Sequence, residues 1–260
     1  AIHRIPCQAI KLDWKDAWNL QHIEAQLSSG HFTHVLAVQH ETTTGRLNPV
    51  QALAGLCEQA SVGLLLDAVS SFGAEAIPFA SPALLACAAT ANKCLHGIPG
   101  TCIVLTRRKA LEAAVKPART MTLDLALWAD HQQRQSTPFT PPVTSLLALN
   151  QSLDELFKAG GQVGRHAHYL RLANRVAKCL DRLGVKPMLE EGASSCVLRS
   201  YALPAGLSYA QLHDGLKLRG FIIYAGQGAL ADEMFRISTM GDISDYDLGR
   251  LLSALEDVIS

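Results

Sequence analysis

The sequence lacks a long hydrophobic run, a net charge and a paired-cysteine motif. No apolar run reaches the roughly 18 residues that a membrane-spanning helix needs, so we expect no membrane association of that kind. Lys+Arg and Asp+Glu number 23 each, and this balance argues against a protein that coats nucleic acid or anionic lipid. The seven cysteines form no C-x-x-C, and the chain opens without a basic-then-apolar leader. These features predict a cytoplasmic protein with free thiols.

Metal-ligand spacing is also lacking. The closest histidine pairs are His31 with His34 and His166 with His168, and neither pair has a carboxylate or thiol at ligand spacing. His166 and His168 are two residues apart on a predicted helix and therefore face different sides. The spacings thus predict no metal site.

What the sequence does contain is a globular composition, with 48% hydrophobic and 18% charged residues in 260. Four apolar runs in the first half read as strands, at about 33–38, 63–66, 84–89 and 101–106. Because they lack polar alternation, they predict a mainly parallel sheet that is covered on both faces. The predicted class is therefore α/β.

The second half has a different organisation. The pattern breaks between 121 and 142, and two long helices follow, at about 143–159 and 162–183, separated by a Gly-Gly pair. From 196 onwards the order is strand, helix, strand, strand, helix. We predict a large domain over 1–160, a connecting helix over 161–184 and a small α+β domain over 185–260.

Two residues stand where adjacent apolar strands end. Asp67 directly follows Leu64-Leu65-Leu66, and Lys93 lies in the tight loop after the next strand. Ligands of open α/β sheets bind at the carboxyl edge of the strands. Asp67 alone reads equally well as a turn cap for Ser70 and Ser71, and a lone lysine reads as a surface residue. Together they are the acid and the amine that pyridoxal phosphate requires.

Four segments in this order carry a resemblance: HETTTG (40–45), DAVSSFG (67–73), ANKC with GIPG (91–100) and FRIS (235–238). The sequence resembles the class V, fold-type I aminotransferases, which depend on pyridoxal phosphate. Within them it is most similar to the 2-aminoethylphosphonate–pyruvate transaminases. The resemblance runs from about residue 10 to the C-terminus. It implies a partial large cofactor-binding domain followed by a small C-terminal domain.

The resemblance assigns roles to residues near the cofactor. Lys93 is expected to bind the cofactor covalently, and Asp67 to pair with its ring nitrogen. Val69 is expected to pack under the ring, and Thr42 to hydrogen-bond near the 3-oxygen.

Three further residues receive roles from the same resemblance. Asn92 is expected near the cofactor phosphate. Thr140 is expected to reach the phosphate of a neighbouring subunit, which implies a homodimer with shared sites. Arg236 is expected to bind the substrate anion, and a bidentate guanidinium suits a phosphonate or carboxylate.

The implied reaction is a ping-pong transamination between 2-aminoethylphosphonate and pyruvate, which gives phosphonoacetaldehyde and alanine. A serine– or alanine–glyoxylate transaminase and a phosphonate lyase with the same cofactor are the alternatives. Members of the family begin with a segment that carries a Gly-rich phosphate cradle and an aromatic residue that stacks on the cofactor ring. The present sequence does not contain that segment. We therefore expect a fragment of a longer protein or a truncated form. A non-catalytic, dimer-forming protein is the alternative of another class.

Overall fold

The computed structural model describes residues 4–113 and 118–260. The helices in this part of the chain are α1 (Leu20–Ser29), α2 (Val50–Gln59), α3 (Arg108–Glu112), α4 (Leu125–Gln133), α5 (Val143–Lys158), α6 (Gly161–Arg182), α7 (Tyr209–Leu218) and α8 (Asp245–Ile259). The strands are β1 (His34–Val38), β2 (His40–Glu41), β3 (Arg46–Leu47), β4 (Gly63–Asp67), β5 (Leu84–Thr90), β6 (Cys102–Thr106), β7 (Leu198–Ala202), β8 (Tyr224–Ala225) and β9 (Met234–Ser238).

The larger sheet has the strand order β1-β4-β5-β6. The strands β1, β4 and β5 are parallel, so their carboxyl ends share one edge, and Asp67 pairs there with Val38 and Ala88. β6 runs antiparallel to β5, because the link over 91–101 is too short for a parallel crossover. The predicted α/β class with a mainly parallel sheet is confirmed.

The prediction that this sheet is covered on both faces is wrong for the described residues. Successive side chains of a strand point to opposite faces, and α2 packs on one of them. On that face Leu64 and Leu66 are buried against Leu53. On the opposite face Leu36 is 76% exposed and Val104 is exposed as well.

The smaller sheet has the order β7-β9-β8 and is antiparallel. It packs with α6, α7 and α8 around a core that includes Leu172, Val176, Leu180, Tyr201, Leu212, Leu216, Phe235, Leu248 and Leu255. The predicted order of elements is found, but the strand expected over 221–224 is limited to Tyr224–Ala225. Phe221 N–H donates to Leu216 O at 3.0 Å, and this bond makes Phe221 part of the turn that closes α7.

The two long helices, α5 and α6, are separated at the Gly-Gly pair, as the sequence predicted. Gly160 and Gly161 have φ values of +89° and +67°, which favour glycine. The sequence did not predict α4, which lies in the segment where the apolar pattern breaks. Asp124 Oδ1 caps this helix by accepting from Ala126 N and Leu127 N. None of the helices described has the length and apolar character to cross a bilayer. The proposed domain boundaries stay a prediction.

Candidate functional site

The parallel register brings Asp67 and the Lys93 loop to the same edge of the larger sheet. Asp67 is the last residue of β4, and Ala68 N–H donates to Ala88 O on β5 at 2.9 Å. Lys93 follows β5 by three positions, in the loop that leads to β6. Both residues are half-buried. A carboxylate and a primary amine are therefore held at the ends of neighbouring strands, as the sequence predicted.

One oxygen of the Asp67 carboxylate has a structural role. Asp67 Oδ1 accepts from Val69 N–H at 2.9 Å, which closes a turn directly after the strand. Asp67 is thus a turn cap, but the N–H that its side chain caps belongs to Val69, whereas the sequence predicted Ser70 and Ser71. Asp67 Oδ2 makes no hydrogen bond with residues 4–113 or 118–260. The carboxylate can therefore keep its turn and still bind a ligand.

The loop that carries Lys93 is held from two sides. Within the loop, Gly97 N–H donates to Ala91 O at 2.8 Å, and His96 adopts a φ of +66°. From α6, Arg165 Nη1 donates to Cys94 O at 3.1 Å. The backbone on both sides of Lys93 is therefore fixed before any ligand arrives.

Tyr169, one turn after Arg165 on α6, supplies a second contact to the same loop. Its hydroxyl is hydrogen-bonded to His96 Nε2, and Tyr169 is fully buried. Burial, with a contribution from the Arg165 charge, lowers the pKa of His96 to about 4, so this imidazole is neutral at physiological pH. The sequence did not predict either α6 residue, because only the fold brings them to a loop that lies about 70 residues earlier.

His40 joins the segment that carries Thr42 to the loop after Asp67. Val197 N–H and Leu198 N–H donate to Ser195 Oγ, whose hydroxyl lies 2.8 Å from His40 Nε2 and 3.4 Å from Leu198 O, so the shorter contact favours donation to His40. His40 Nδ1–H then donates to Ser70 O at 3.2 Å. This arrangement fixes a neutral imidazole, in agreement with burial lowering the pKa of His40. His40 belongs to the HETTTG segment, but the sequence analysis gave it no role.

Arg236 and Thr42 meet in this structure. Arg236, on β9, donates from Nη1 to Thr42 O and from Nε to Ala225 O, each at 2.8 Å. Burial lowers the pKa of the guanidinium, which stays cationic at neutral pH. The two carbonyls fix the guanidinium plane, and among the described residues the Nη2 protons and one Nη1 proton have no hydrogen-bond acceptor, so they can bind an anion.

The other three predicted residues differ in their exposure to solvent. Val69 is half-buried beside Asp67. Asn92 is exposed, and its Oδ1 accepts from Thr90 Oγ1 at 2.7 Å. Thr140 is exposed and makes no hydrogen bond with the other predicted site residues in the described ranges. The structure thus places Asp67 and the Lys93 loop at one sheet edge and joins Arg236 to Thr42 by a hydrogen bond, and it shows neither arrangement for Thr140.

Sequence comparison relates the chain to one group of enzymes. A sequence profile described as "Aminotransferase class-V" matches residues 5–196. A 2-aminoethylphosphonate–pyruvate transaminase of Aeromonas hydrophila subsp. hydrophila is 37% identical over 238 residues. That match covers 90% of this chain and 62% of the relative, so the chain spans less than two thirds of the relative's length.

Comparison with solved structures gives the same fold. An alanine–glyoxylate aminotransferase from Nostoc sp. superposes with a TM-score of 0.88 at 21% identity, covering 96% of this chain and 68% of that one. A pyridoxamine–pyruvate aminotransferase from Mesorhizobium loti superposes with a TM-score of 0.87 at 23% identity, covering 96% and 66%. At these identities the likeness concerns the fold alone.

Proposed function

Because the chain belongs to the class V aminotransferases, a family of pyridoxal phosphate-dependent enzymes, we propose that the protein transfers the amino group of 2-aminoethylphosphonate to pyruvate. The products are phosphonoacetaldehyde and alanine. The observation that carries the proposal is the placement of the Asp67 carboxylate and the Lys93 amine at the ends of two adjacent parallel strands. The name of the Aeromonas relative supports the choice of substrates.

The residues at this edge fit pyridoxal phosphate. When bound, the cofactor supplies an aldehyde that condenses with amines and a cationic ring that takes up electrons. Lys93 Nζ is the amine placed to hold the aldehyde, in a loop that Arg165 and Gly97 keep in shape. Asp67 Oδ1 accepts from Val69 N–H in the turn, and the second carboxylate oxygen can accept a hydrogen bond from a protonated ring nitrogen. Thr42 and Val69 complete the ring side of the proposed site, and Asn92 lies beside Lys93.

Lys93 has two tasks in the proposed reaction. Its amine would hold the aldehyde of the cofactor until the donor amine takes its place. It would then act as the base that moves a proton from the donor's amine-bearing carbon. The Asp67 carboxylate would stabilise the positive charge on the cofactor ring that favours this proton transfer.

Arg236 is proposed to bind the phosphonate. In 2-aminoethylphosphonate the anion lies one carbon further from the amine than the carboxylate of an α-amino acid does. Hydrogen bonds to Thr42 O and Ala225 O hold the Arg236 side chain in one conformation. Its remaining N–H groups are therefore already oriented to bind an anion. We expect pyruvate to use the same guanidinium in the second half of the reaction.

Thr140 is proposed to act in the site of a second copy of the chain. It is exposed on a proline-rich segment just before α5. Ser145 Oγ of α5 donates to Pro99 O in the Lys93 loop at 3.0 Å, so the start of α5 is packed against that loop. The proposed assembly is a homodimer with two shared sites.

The test compares donors and acceptors on the full-length protein loaded with cofactor. We expect 2-aminoethylphosphonate with pyruvate to react faster than alanine or serine with glyoxylate. Arg236→Lys is expected to lower kcat/KM for the phosphonate donor by at least about 100-fold, because a point charge lacks the two-pronged contact. Arg199→Lys is the matched control. This arginine lies on the neighbouring strand β7, and its Nη2 donates to Asn174 Oδ1 instead.

Each other outcome selects an alternative. Faster turnover of alanine or serine with glyoxylate would make the protein a glyoxylate transaminase. Consumption of the phosphonate without formation of alanine would make it a phosphonate lyase. Failure of the full-length protein to retain cofactor would favour the non-catalytic reading.

A further inference from the structure

A carboxylate with little exposure lies behind the candidate site. Glu75 is 3% exposed, and its Oε1 accepts from Cys196 N–H at 2.7 Å. Its ion-pair partner within residues 4–113 and 118–260 is His166, whose Nδ1 lies 3.3 Å from Glu75 Oε2. An imidazole carries charge only when it is protonated. Buried carboxylates are generally paired with a cation or bound to a metal ion. The negative charge of Glu75 therefore needs a positively charged partner.

A nitrogen and a sulfur ligand atom lie close to this carboxylate. A carboxylate oxygen of Glu75, a ring nitrogen of His166 and the Sγ of Cys196 all lie within 4.8 Å of one another. They come from the loop after β4, from α6 and from the segment before β7, respectively. Zinc–nitrogen and zinc–oxygen bonds are about 2.0–2.2 Å long, so two such ligands on a tetrahedral ion are about 3.3–3.5 Å apart. The separation of His166 Nδ1 and Glu75 Oε2 agrees with that value.

We propose that Glu75, His166 and Cys196 bind a divalent ion of the zinc type. One oxygen, one nitrogen and one sulfur ligand suit zinc, whereas magnesium and calcium prefer oxygen ligands alone. Glu75 and Cys196 are buried and His166 is half-exposed, so we expect a water molecule to reach the fourth position from the His166 side. Binding releases the thiol proton of Cys196 to solvent, and His166 binds through Nδ1 as the neutral imidazole whose remaining proton is on Nε2.

The surrounding hydrogen bonds accommodate this change. Without the ion, His166 Nδ1 lies 3.2 Å from Ala74 O, to which it donates. Gln162 Nε2 also donates to Ala74 O at 2.7 Å, so that carbonyl keeps a partner when His166 turns to the metal. Cys196 N–H continues to hold Glu75 Oε1. The ion would therefore join three segments and stabilise the packing behind the Asp67 loop without taking part in catalysis.

Cobalt(II) is the probe, because its thiolate charge-transfer absorption reports sulfur ligation directly. The full-length protein, stripped with a chelator, is titrated with Co²⁺ and then with Zn²⁺. We expect one Co²⁺ per chain, with a tetrahedral spectrum and a thiolate band that Zn²⁺ abolishes. His166→Gln and Cys196→Ser are each expected to weaken binding by at least about 10- to 100-fold.

Two matched variants serve as controls. His168→Gln changes a histidine on the same helix that is not part of the cluster, and Cys179→Ser changes another buried thiol. Both are expected to bind Co²⁺ as the wild type does. Because His166 is half-exposed, His166→Gln should fold even if Cys196→Ser does not.

Three outcomes would overturn the proposal. The first is a wild-type spectrum without a thiolate band, which would leave Glu75, His166 and Cys196 as a proton-sharing cluster. The second is unchanged affinity in His166→Gln. The third is a band that disappears in a Cys7→Ser, Cys102→Ser double variant, since these two thiols are exposed and can bind metal adventitiously.

Discussion

At the scale of single residues, Asp67 combines a turn-forming role with a proposed electrostatic one. Its Oδ1 is used by Val69 N–H, and Oδ2 remains for a ligand. The strand-end position and the resemblance predicted that Asp67 is a site residue. The sequence could not predict which oxygen bonds Val69 N–H and which remains for a ligand, because this depends on the side-chain torsion of Asp67 and on the position of residue 69.

Asp67→Asn separates these two roles. The asparagine Oδ1 still accepts from Val69 N–H, so we expect the fold and the stability to be retained. The negative charge is lost, and turnover is expected to fall by on the order of 100-fold or more, as when one preorganised electrostatic group is removed. Rate measurements at saturating donor, beside thermal unfolding curves, check this. Asp124→Asn is the control, since Asp124 caps α4 with the same kind of contact. Wild-type turnover in Asp67→Asn would leave Asp67 as a turn cap only.

At the scale of elements, the helix α6 positions the Lys93 loop. Arg165 and Tyr169 are one turn apart on α6 and contact Cys94 O and the His96 ring. The sequence predicted α6 as a second long helix after the Gly-Gly pair, and it predicted that the Lys93 loop is tight. It could not predict that the two meet, because a 3.6-residue period identifies a buried face but not the loop that the face covers.

The contact between α6 and the loop predicts a dependence of stability on pH. The pKa of His96 is lowered from its unfolded value to about 4, so the folded protein binds this proton less readily than the unfolded chain does. The contribution of the neutral His96 ring to the free energy of unfolding is complete above pH 6.5 and is lost as the pH falls towards 4. We expect urea unfolding to show a smaller loss of stability between pH 7 and pH 5 in His96→Asn than in the wild type. Asparagine also tolerates the positive φ at this position.

His22→Asn is the control for that experiment, because His22 is an exposed histidine on α1. It should keep the full pH dependence of the wild type. His40 is also buried with a lowered pKa, so part of the acid sensitivity should remain in His96→Asn. An unchanged pH dependence in His96→Asn would show that the loop contact does not couple protonation to folding.

The pattern of predicted and missed elements has a physical basis. Strands β1, β4 and β5 are continuous apolar runs, and α7 begins at Tyr209 after a capping box formed by Ser208 and Gln211, so local sequence is enough to find them. The helix α4 has a weak apolar face and none of its side chains is buried. Its one clear local signal is the Asp124 cap, and such a cap is equally typical of a turn.

At the scale of the whole molecule, the described chain exposes apolar faces that the sequence analysis expected to be buried. In α5, Leu156 is buried, but Val143 and Leu147 are exposed and Phe157 is 71% exposed. Leu36 is exposed on the open face of the larger sheet. Exposed apolar patches of this kind mark interaction surfaces, which is consistent with the proposed homodimer.

The proposed function depends above all on Lys93 as the residue that binds the cofactor. The direct measurement is to incubate the full-length protein with pyridoxal phosphate, reduce it with borohydride, digest it and locate the modified lysine by mass spectrometry. We predict that the reduced cofactor is attached to the peptide that contains Lys93 and that Lys93→Ala carries no stoichiometric label. Stoichiometric attachment to another lysine, such as Lys109 or Lys178, or undiminished labelling of Lys93→Ala would contradict the account.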